Sequence, residues 1–592
     1  MSEINNNWLE EYKSYEQLRN KYQDNALALF ALSLRFDLDE LDSVGSESIT
    51  DGCEDKGLDL IYINKEKKSA VIAQCYFASN TDKSGAPSKK SIVLGNGILW
   101  LLQRNIEELP TQIRSEAENL RNEIIMGNIL NIHVWYVHNL SESKAVQDEL
   151  KNIEISLNSI LSSSPHYSNY KISIFVKEIG QNTLQNWYEE SRTPILVNDD
   201  ISFSTYGGYE ISGPSWVGFS SVVSITEIFK HYSKYKDKLF SANIRDYLGS
   251  RNSDSNINNG IIETVKKDPS NFWVYNNGLT ILTHSFSLSS NNKVKLKGMS
   301  IVNGAQTAGA IYDAIKQISK ADKSKLEESR VPVRFISVKD QKSDLIENII
   351  RFNNSQNKVE AADFRSTDVI QKRLKKEFDE LSYVKYEAGR RSKENKQDKQ
   401  KRLISSYLVG QALTAFHSDP IIAYNGRTEI WSNNIYYETI FNDKTSALHI
   451  IFCYSLVKSI ENKKDEYQKQ DELTEKEKKN LQFLRYRGAK YLLTYAISNS
   501  LETILAQKIS NKFSLYFNGL KSLKDAESRW DKLLDILLPF SYTLQKAIEK
   551  GLKNKTYITE GVEAFSSAIE SYLHTGLVDL SEFTKSVTVS KN

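Results

Sequence analysis

The chain of 592 residues has only three cysteines, too few for a disulfide framework and too widely spaced for a zinc cluster. It has no run of about 18 apolar residues, and its first residues lack a basic segment followed by an apolar one, so we expect neither membrane insertion nor secretion. The net charge is only +2, which excludes an overall basic character. These absences favour a protein of the reducing cytoplasm whose basic surfaces, if any, are local.

What is present is typical of a folded, multidomain protein. Hydrophobic residues make up 40% of the chain and charged residues 26%, and the length exceeds what one hydrophobic core organises. The patterns predict an α/β domain over 1–195, an α+β domain over 196–402 and a mostly α-helical region over 403–592. The last part carries no chemically interpretable motif, and we interpret it as a packing or oligomerisation module.

A β-hairpin with an acidic residue at its start is predicted near the N-terminus. The first strand reads Leu-Asp-Leu-Ile-Tyr-Ile at 58–63, and after a charged turn the second strand ends Ala-Gln-Cys-Tyr at 73–76. Strand alternation allows Asp59 and Gln74 to meet at one metal ion. Asp51 and Asp55 lie in the preceding loop, where further oxygen ligands could converge.

A buried helix within 8–36, an acidic turn, this hairpin and a helix starting near 89 follow one another. In this order and in its Asp/Gln pair, the segment resembles the Mrr-like branch of the PD-(D/E)XK nucleases. The resemblance implies Mg²⁺ bound by Asp59 and Gln74 and phosphodiester hydrolysis. That branch carries Gln-x-Lys, whereas here the lysine position is Tyr76; Lys89 or Lys90, at the start of the next helix, could supply the missing lysine. The alternative is an ordinary half-buried hairpin without chemistry.

Four asparagine-rich phrases follow in the second predicted domain. They are Asn-Ile-Arg-Asp-Tyr-Leu-Gly at 243–249, Phe-Trp-Val-Tyr-Asn-Asn-Gly-Leu-Thr at 272–280, Ile-Val-Asn-Gly-Ala-Gln-Thr at 301–307 and Arg-Phe-Asn-Asn-Ser-Gln-Asn at 351–357. In this order they resemble the AIPR family, named for abortive-infection phage-resistance proteins, over most of 235–445. The resemblance implies a role in bacterial defence against phage.

The third phrase joins a predicted strand to a predicted helix, so that unpaired backbone N–H groups would point outward where a phosphate or carboxylate could bind. Asparagine side chains can contact bases, and arginines can grip phosphates. The candidate ligand-binding residues are Asn303, Gly304, Gln306, Thr307, Asn276, Asn277, Arg245, Arg351 and Asn354. The alternative is that the Asn-Gly pairs only form turns and caps.

A basic run at 386–402, which includes Arg390 and Arg391 beside Tyr386, is a candidate for contact with a nucleic-acid backbone. A solvated charged loop is the alternative, because acidic residues interrupt the run. Two hypotheses for function stay open. The first is a metal-dependent nuclease acting on DNA or RNA; the second is a non-catalytic sensor or nucleic-acid-binding defence protein. In either case we expect a cytoplasmic protein without a membrane partner, with a phage trigger or partner protein and self-association as possibilities.

Overall fold

The computed structural model describes most of the chain. The described residues are 7–36, 38, 40–50, 55–80, 85–167, 169–192, 195, 197–240, 255–289, 291–318, 326, 328–339, 344–354, 365, 368–381, 383–387, 403–470, 472–549 and 551–589. The fold is mixed α/β with a helical C-terminal region, as the sequence predicts. Among the described residues, no helix has both the length and the apolar character needed to cross a membrane.

A four-stranded sheet with strand order β1-β2-β3-β4 forms the centre of the N-terminal part. Its strands are β1 (Leu60–Asn64), β2 (Ser69–Tyr76), β3 (Asn131–His138) and β4 (Ser173–Ile179). The first pair is the predicted antiparallel hairpin, and the later pairs are parallel. Every residue of β3 is buried, as expected for a parallel strand covered by helices on both faces.

Helices cover both faces of this sheet. They are α1 (Asn7–Ser14), α2 (Glu16–Tyr22), α3 (Ala26–Phe36), α4 (Leu41–Ser48), α5 (Ser88–Gln103), α6 (Thr111–Ile125), α7 (Lys144–Ser163) and α8 (Gln181–Arg192). The prediction of one helix within 8–36 is therefore too simple. Gln23 has a φ of +48°, and this left-handed residue ends α2 before the buried α3 begins.

The central part is built on a six-stranded sheet with strand order β5-β6-β10-β7-β9-β8. The strands are β5 (Val197–Ser212), β6 (Trp216–Ser224), β7 (Leu279–Thr283), β8 (Ser285–Ser289), β9 (Lys293–Asn303) and β10 (Arg330–Val338). The glycine- and tyrosine-rich stretch after residue 196 is thus an extended strand. The helices of this part are α9 (Ile225–Tyr235), α10 (Ser255–Lys267), α11 (Phe272–Tyr275), α12 (Ala305–Gln317) and α13 (Asp344–Asn354).

The remainder is mostly helical, as predicted, and packs around the largest hydrophobic core formed by the described residues. The helices are α14 (Val369–Asp379), α15 (Ser406–His417), α16 (Pro420–Asn425), α17 (Glu429–Ser432), α18 (Asn434–Ile440), α19 (Ala447–Lys469), α20 (Glu475–Arg485), α21 (Ala489–Leu505), α22 (Leu523–Leu537), α23 (Gln545–Ile548), α24 (Lys555–His574) and α25 (Ser581–Ser586). Two short strand pairs join them: β11 (Lys385–Glu387) with β12 (Leu403–Ser405), and β13 (Leu515–Phe517) with β14 (Val587–Val589). Thr474 and Glu477 form the predicted capping box at the start of α20.

Ion pairs join buried charges of the helical region to half-buried carboxylates of the N-terminal part. The Lys458 ammonium on α19 lies 2.7 Å from carboxylate oxygens of both Asp42 on α4 and Glu461. The Lys490 ammonium lies 2.5 Å from carboxylate oxygens of both Glu47 and Glu461. Burial opposes ionisation of Glu461, but Lys458 and Lys490 outweigh it and lower the pKa of Glu461 to about 2. Helix α4, which leads into the acidic loop, is therefore held by the C-terminal helices.

Candidate functional site

The hairpin brings Asp59 to the strand that carries Gln74. The paired residues begin at Leu60, which lies opposite Ala73. Asp59 precedes β1, and its backbone N–H donates to the Ala73 carbonyl at 3.0 Å, so the regular register does not continue to Asp59. Asp59 instead contacts β2 through its carboxylate, which binds the backbone N–H of Cys75, the residue after Gln74.

Both side chains are buried, with 9% of Asp59 and 5% of Gln74 exposed. Asp59 Oδ2 accepts a hydrogen bond from the Cys75 backbone N–H at 2.6 Å, which fixes the orientation of the carboxylate. Gln74 Oε1 is different, because no hydrogen-bond donor of the described residues reaches this buried oxygen. A buried acceptor without a partner costs about 1–3 kcal/mol, which a bound cation would recover. Carboxylate and amide oxygens are ligands that Mg²⁺ and Ca²⁺ accept.

Gly57 makes room for the Gln74 amide. Its φ is +75°, and a Cβ at this position would lie 2.8 Å from Gln74 Nε2 and 2.6 Å from a methyl carbon of Val93. Any larger residue would displace the amide. Asp55 stabilises the same turn, since its Oδ1 accepts the Gly57 N–H at 2.8 Å. The structure thus shows Asp55 as a turn-forming residue; Asp51 lies outside the described residues.

A row of polar side chains continues from Gln74 across the sheet. The parallel register aligns Gln74 with Tyr136 on β3, and Tyr136 with Glu178 on β4. The Tyr136 hydroxyl donates to the Pro87 carbonyl at 3.2 Å, which ties the row to the start of α5. Burial raises the pKa of Tyr136, with smaller contributions from Tyr76 and Glu178, so the hydroxyl stays protonated at neutral pH. Both carboxylate oxygens of Glu178 accept the single backbone N–H of Ser143 at 3.1 Å, and Glu178 Oε1 lies 3.0 Å from His138 Nε2.

Tyr76, in the position where the resembling nucleases carry lysine, is contacted by a lysine from α5. The Lys90 ammonium lies 5.4 Å from the centre of the Tyr76 ring, and both side chains are half-buried. Lys89 is exposed at the neighbouring helix position. Of the two lysines predicted from the sequence, the structure therefore brings Lys90 to the end of the hairpin.

A second polar cluster forms where two of the asparagine-rich phrases meet. Thr280 on β7 pairs with Asn303 at the end of β9, so the turns at 276–278 and 303–304 are neighbours. Gly278 N–H donates to Asn276 Oδ1 at 2.8 Å, and Gly278 has a φ of +83°. The turn interpretation therefore holds for Asn276 and Gly278. Asn276 also reaches the buried Thr307, with its Nδ2 3.5 Å from the hydroxyl.

Helix α12 begins in this cluster. Gly304 precedes it with a φ of +90°, and no side chain of the described residues caps the helix at that position. A Cβ on Gly304 would lie 2.8 Å from the Gly278 carbonyl oxygen, so the two turns pack closely. Asn303 and Gln306 are half-buried beside the helix start, and Asn277 is exposed. The helix start is thus lined by amide and hydroxyl groups from two phrases.

Arg334 on β10 adds a positive charge that sequence reasoning missed. Its guanidinium donates to the Thr280 hydroxyl at 2.7 Å and to Asn353 Oδ1 at 2.8 Å, joining the fourth phrase to the second. The sequence signal that could have identified Arg334 is its exposed position in a strand whose neighbouring residues are buried.

Two exposed aromatic residues lie beside the turn at 276–278. Trp273 and Tyr275 are 52% and 65% exposed, although aromatic side chains are usually buried.

Several predicted ligand residues are not placed. Arg245, Arg390 and Arg391 lie outside the described residues, and for Arg351 and Asn354 only the helix backbone is described. Their predicted contacts with phosphate or nucleic acid stay predictions.

A family model described as AIPR protein matches residues 240–582, more than half of the chain. The match includes the asparagine-rich cluster and almost all of the helical region, and it begins after the hairpin domain. Comparisons with curated proteins and with solved structures found no match.

Proposed function

Because the chain belongs to the AIPR family, we propose that it is an abortive-infection protein that cleaves nucleic acid at a metal-dependent site formed by Asp59 and Gln74. Family membership supports a role in bacterial defence against phage. The observation that carries the nuclease proposal is the buried Gln74 Oε1, which lacks a donor among the described residues and precedes Cys75, whose backbone N–H binds the Asp59 carboxylate. We place this activity in the cytoplasm.

The residues present fit a hard divalent cation. Asp59 supplies a negative charge and Gln74 a neutral oxygen, and the Asp59 carboxylate contacts the strand that carries Gln74. Mg²⁺ prefers oxygen ligands and is often held by one or two carboxylates, with waters and substrate phosphates completing its shell. When bound, the ion would polarise a phosphate oxygen and activate a water molecule.

The protein's own groups provide the remaining functions. The Asp59 carboxylate is oriented by the Cys75 N–H, and Tyr136 anchors the start of α5 through Pro87. This anchoring holds Lys90 at the end of β2, where its ammonium neutralises charge that develops on the phosphate. Lys90 thus takes over the role that the lysine at position 76 has in the resembling nucleases.

The second candidate function is non-catalytic binding of a nucleotide or nucleic acid at the cluster around Asn276, Gly304 and Arg334. It is favoured by the exposed Trp273 and Tyr275 beside an arginine and a helix start, since aromatic rings stack on bases and cations contact phosphates. The two functions are compatible, because the cluster could bind a signal that controls the hairpin domain.

The nuclease proposal is tested by incubating the purified full-length protein with supercoiled DNA, linear DNA and RNA in the presence of Mg²⁺ or Mn²⁺. We expect metal-dependent cleavage of at least one substrate, abolished by EDTA and by Asp59→Ala, and reduced at least roughly 10²-fold by Gln74→Ala. A matched control is Asp199→Ala, which removes an exposed carboxylate paired with Lys234 far along the chain.

Cleavage that persists in both Asp59→Ala and Gln74→Ala would contradict the assignment of the site. Absence of cleavage on all substrates, together with binding of labelled nucleic acid that Arg334→Ala weakens, would favour the second function instead.

A further inference from the structure

Three side chains that bind transition metals meet inside the helical region. His417, the last residue of α15, faces His449 and Cys453, which lie one turn apart on α19. His417 Nε2 is 2.7 Å from His449 Nε2, and Cys453 Sγ is 3.3 Å from the same His449 atom. The three possible ligand atoms all lie within 4.8 Å of one another. Two imidazoles and a thiol thus converge on one point.

A hydrogen bond to the backbone determines the tautomer of His449. Its Nδ1 lies 2.7 Å from the Leu515 carbonyl oxygen, and because a carbonyl can only accept, Nδ1 carries the hydrogen. His449 Nε2 therefore presents a lone pair to His417 and Cys453. A metal-binding histidine typically donates its other N–H to a carbonyl or carboxylate in this way.

The second histidine is also fixed in orientation. The His417 ring stacks on Phe513 with 3.8 Å between ring centres and 6° between planes. Its Nε2 is thereby held toward His449 Nε2 at 2.7 Å.

We propose that His417, His449 and Cys453 bind a Zn²⁺ ion. Nitrogen and sulfur ligands suit zinc, whereas Mg²⁺ and Ca²⁺ require oxygen. On binding, the Cys453 S–H bond breaks, its electron pair forms the S–Zn bond and its proton goes to solvent. Burial raises the pKa of the Cys453 thiol well above its usual value and opposes this step, and the Lys512 ammonium offsets part of that effect.

Zinc binding requires the two histidine nitrogens to move slightly apart. Tetrahedral zinc with Zn–N bonds near 2.05 Å separates two nitrogen ligands by about 3.3 Å, so the 2.7 Å distance must widen on binding. His417 is half-buried, so water can reach the fourth position. Without metal, His417 and His449 form a direct N–H···N hydrogen bond. This bond is the competing explanation for the short distance between the two nitrogens.

The ion would stabilise the helical region. Its ligands come from α15 and α19, and the groups that orient them, Phe513 and Leu515, come from the segment that leads into β13. These parts are far apart in the chain and share one core. The cysteine spacing predicted no zinc cluster, and the proposal departs from that prediction because two histidines supply the other donors. This site is independent of the Asp59 and Gln74 site.

The test is metal analysis of the full-length protein purified without chelator, followed by Co²⁺ substitution. We expect one zinc ion per chain, and in the Co²⁺ form visible d–d bands with a near-ultraviolet thiolate-to-cobalt band. Cys453→Ser should remove the thiolate band, and His417→Gln should weaken zinc affinity by more than roughly tenfold in a chelator competition. The matched controls are Cys75→Ala, which removes the other described cysteine, and His574→Gln, at an exposed position.

Circular dichroism of each variant separates loss of metal from loss of folding. Co²⁺ bound at Asp59 and Gln74 would give no thiolate band, so that site cannot imitate the expected result. Substoichiometric zinc in the wild type, with no thiolate band after addition of Co²⁺ to folded protein, would overturn the proposal and leave the direct hydrogen bond.

Discussion

The Lys90 ammonium lies 5.4 Å from the centre of the Tyr76 ring, at the end of the strand that carries Gln74. The two residues are on different elements, because Lys90 belongs to the first turn of α5. A positive charge is therefore present near position 76 although the strand itself carries no lysine there.

This contact predicts that a lysine at position 76 can restore the activity lost when Lys90 is removed. Lys90→Ala should lower the rate of nucleic-acid cleavage roughly 10²-fold or more, because a charge that stabilises the transition state is lost. Lys89→Ala, at the exposed neighbouring position, should change the rate little. Adding Tyr76→Lys to Lys90→Ala should restore much of the activity. Rates measured for the four proteins decide this, and equal activity of Lys90→Ala and Lys89→Ala would rule out the role of Lys90.

The buried ion pairs of Glu461 with Lys458 and Lys490 predict a large loss of stability on removal of one partner. Lys458→Met leaves the buried Glu461 without one of its two cations, and breaking such a pair costs about 3–5 kcal/mol. Lys532→Met removes the exposed partner of Glu582 and should cost less than about 1 kcal/mol. Urea unfolding of both variants measures the difference. Similar midpoints for the two would show that the network adds little.

His133 predicts a dependence of stability on pH. Its ring stacks on Phe175 with ring centres 4.9 Å apart, and burial, with a smaller effect of Arg35, lowers its pKa from 6.5 to about 4. Between these values the unfolded chain binds a proton that the folded chain does not, so stability falls as the pH falls from 6.5 to 4. His133→Phe keeps an aromatic ring and should remove up to about 3 kcal/mol of this loss. Denaturant unfolding at several pH values measures it, and an unchanged slope in the variant would contradict the assignment.

Replacing Gly304 by alanine should destabilise the protein through a steric clash, and the same replacement at Gly519 is the control for the cost of backbone conformation alone. Gly304 and Gly519 both have positive φ, but only Gly304 has neighbours where a Cβ would stand. Gly519→Ala should cost about 1–2 kcal/mol for its backbone conformation. Gly304→Ala should cost a further 1–3 kcal/mol, roughly, from the contact with Gly278. Equal unfolding midpoints of the two variants would show that the turns are not tightly packed.

Much of the fold was predictable because it is determined by local patterns. The alternation on either side of the charged turn predicted the hairpin, and the regular spacing of apolar residues predicted the helical C-terminal region. The break between α2 and α3 was not predictable, because the apolar spacing continues across Gln23 and only its left-handed backbone ends the helix.

The candidate sites depend more on tertiary contacts. A shared site of Asp59 and Gln74 could be hypothesised from the sequence because both belong to one hairpin, but the contact of the Asp59 carboxylate with the Cys75 N–H carried no local signal. Lys90 could be named only together with Lys89, since helix orientation decides which of them reaches Tyr76. The contacts of Arg334 with Thr280 and Asn353, and of His417 with His449, join distant segments and carry no local signal.

The most direct test of the Asp59 and Gln74 site is the melting temperature of the full-length protein with and without Mg²⁺. A cation that binds the folded state raises the melting temperature by mass action, so we predict a rise for the wild type and for Asp199→Ala. The rise should be absent in Asp59→Ala and smaller in Gln74→Ala. No rise in the wild type, or an equal rise in all four proteins, would contradict a metal site at this hairpin.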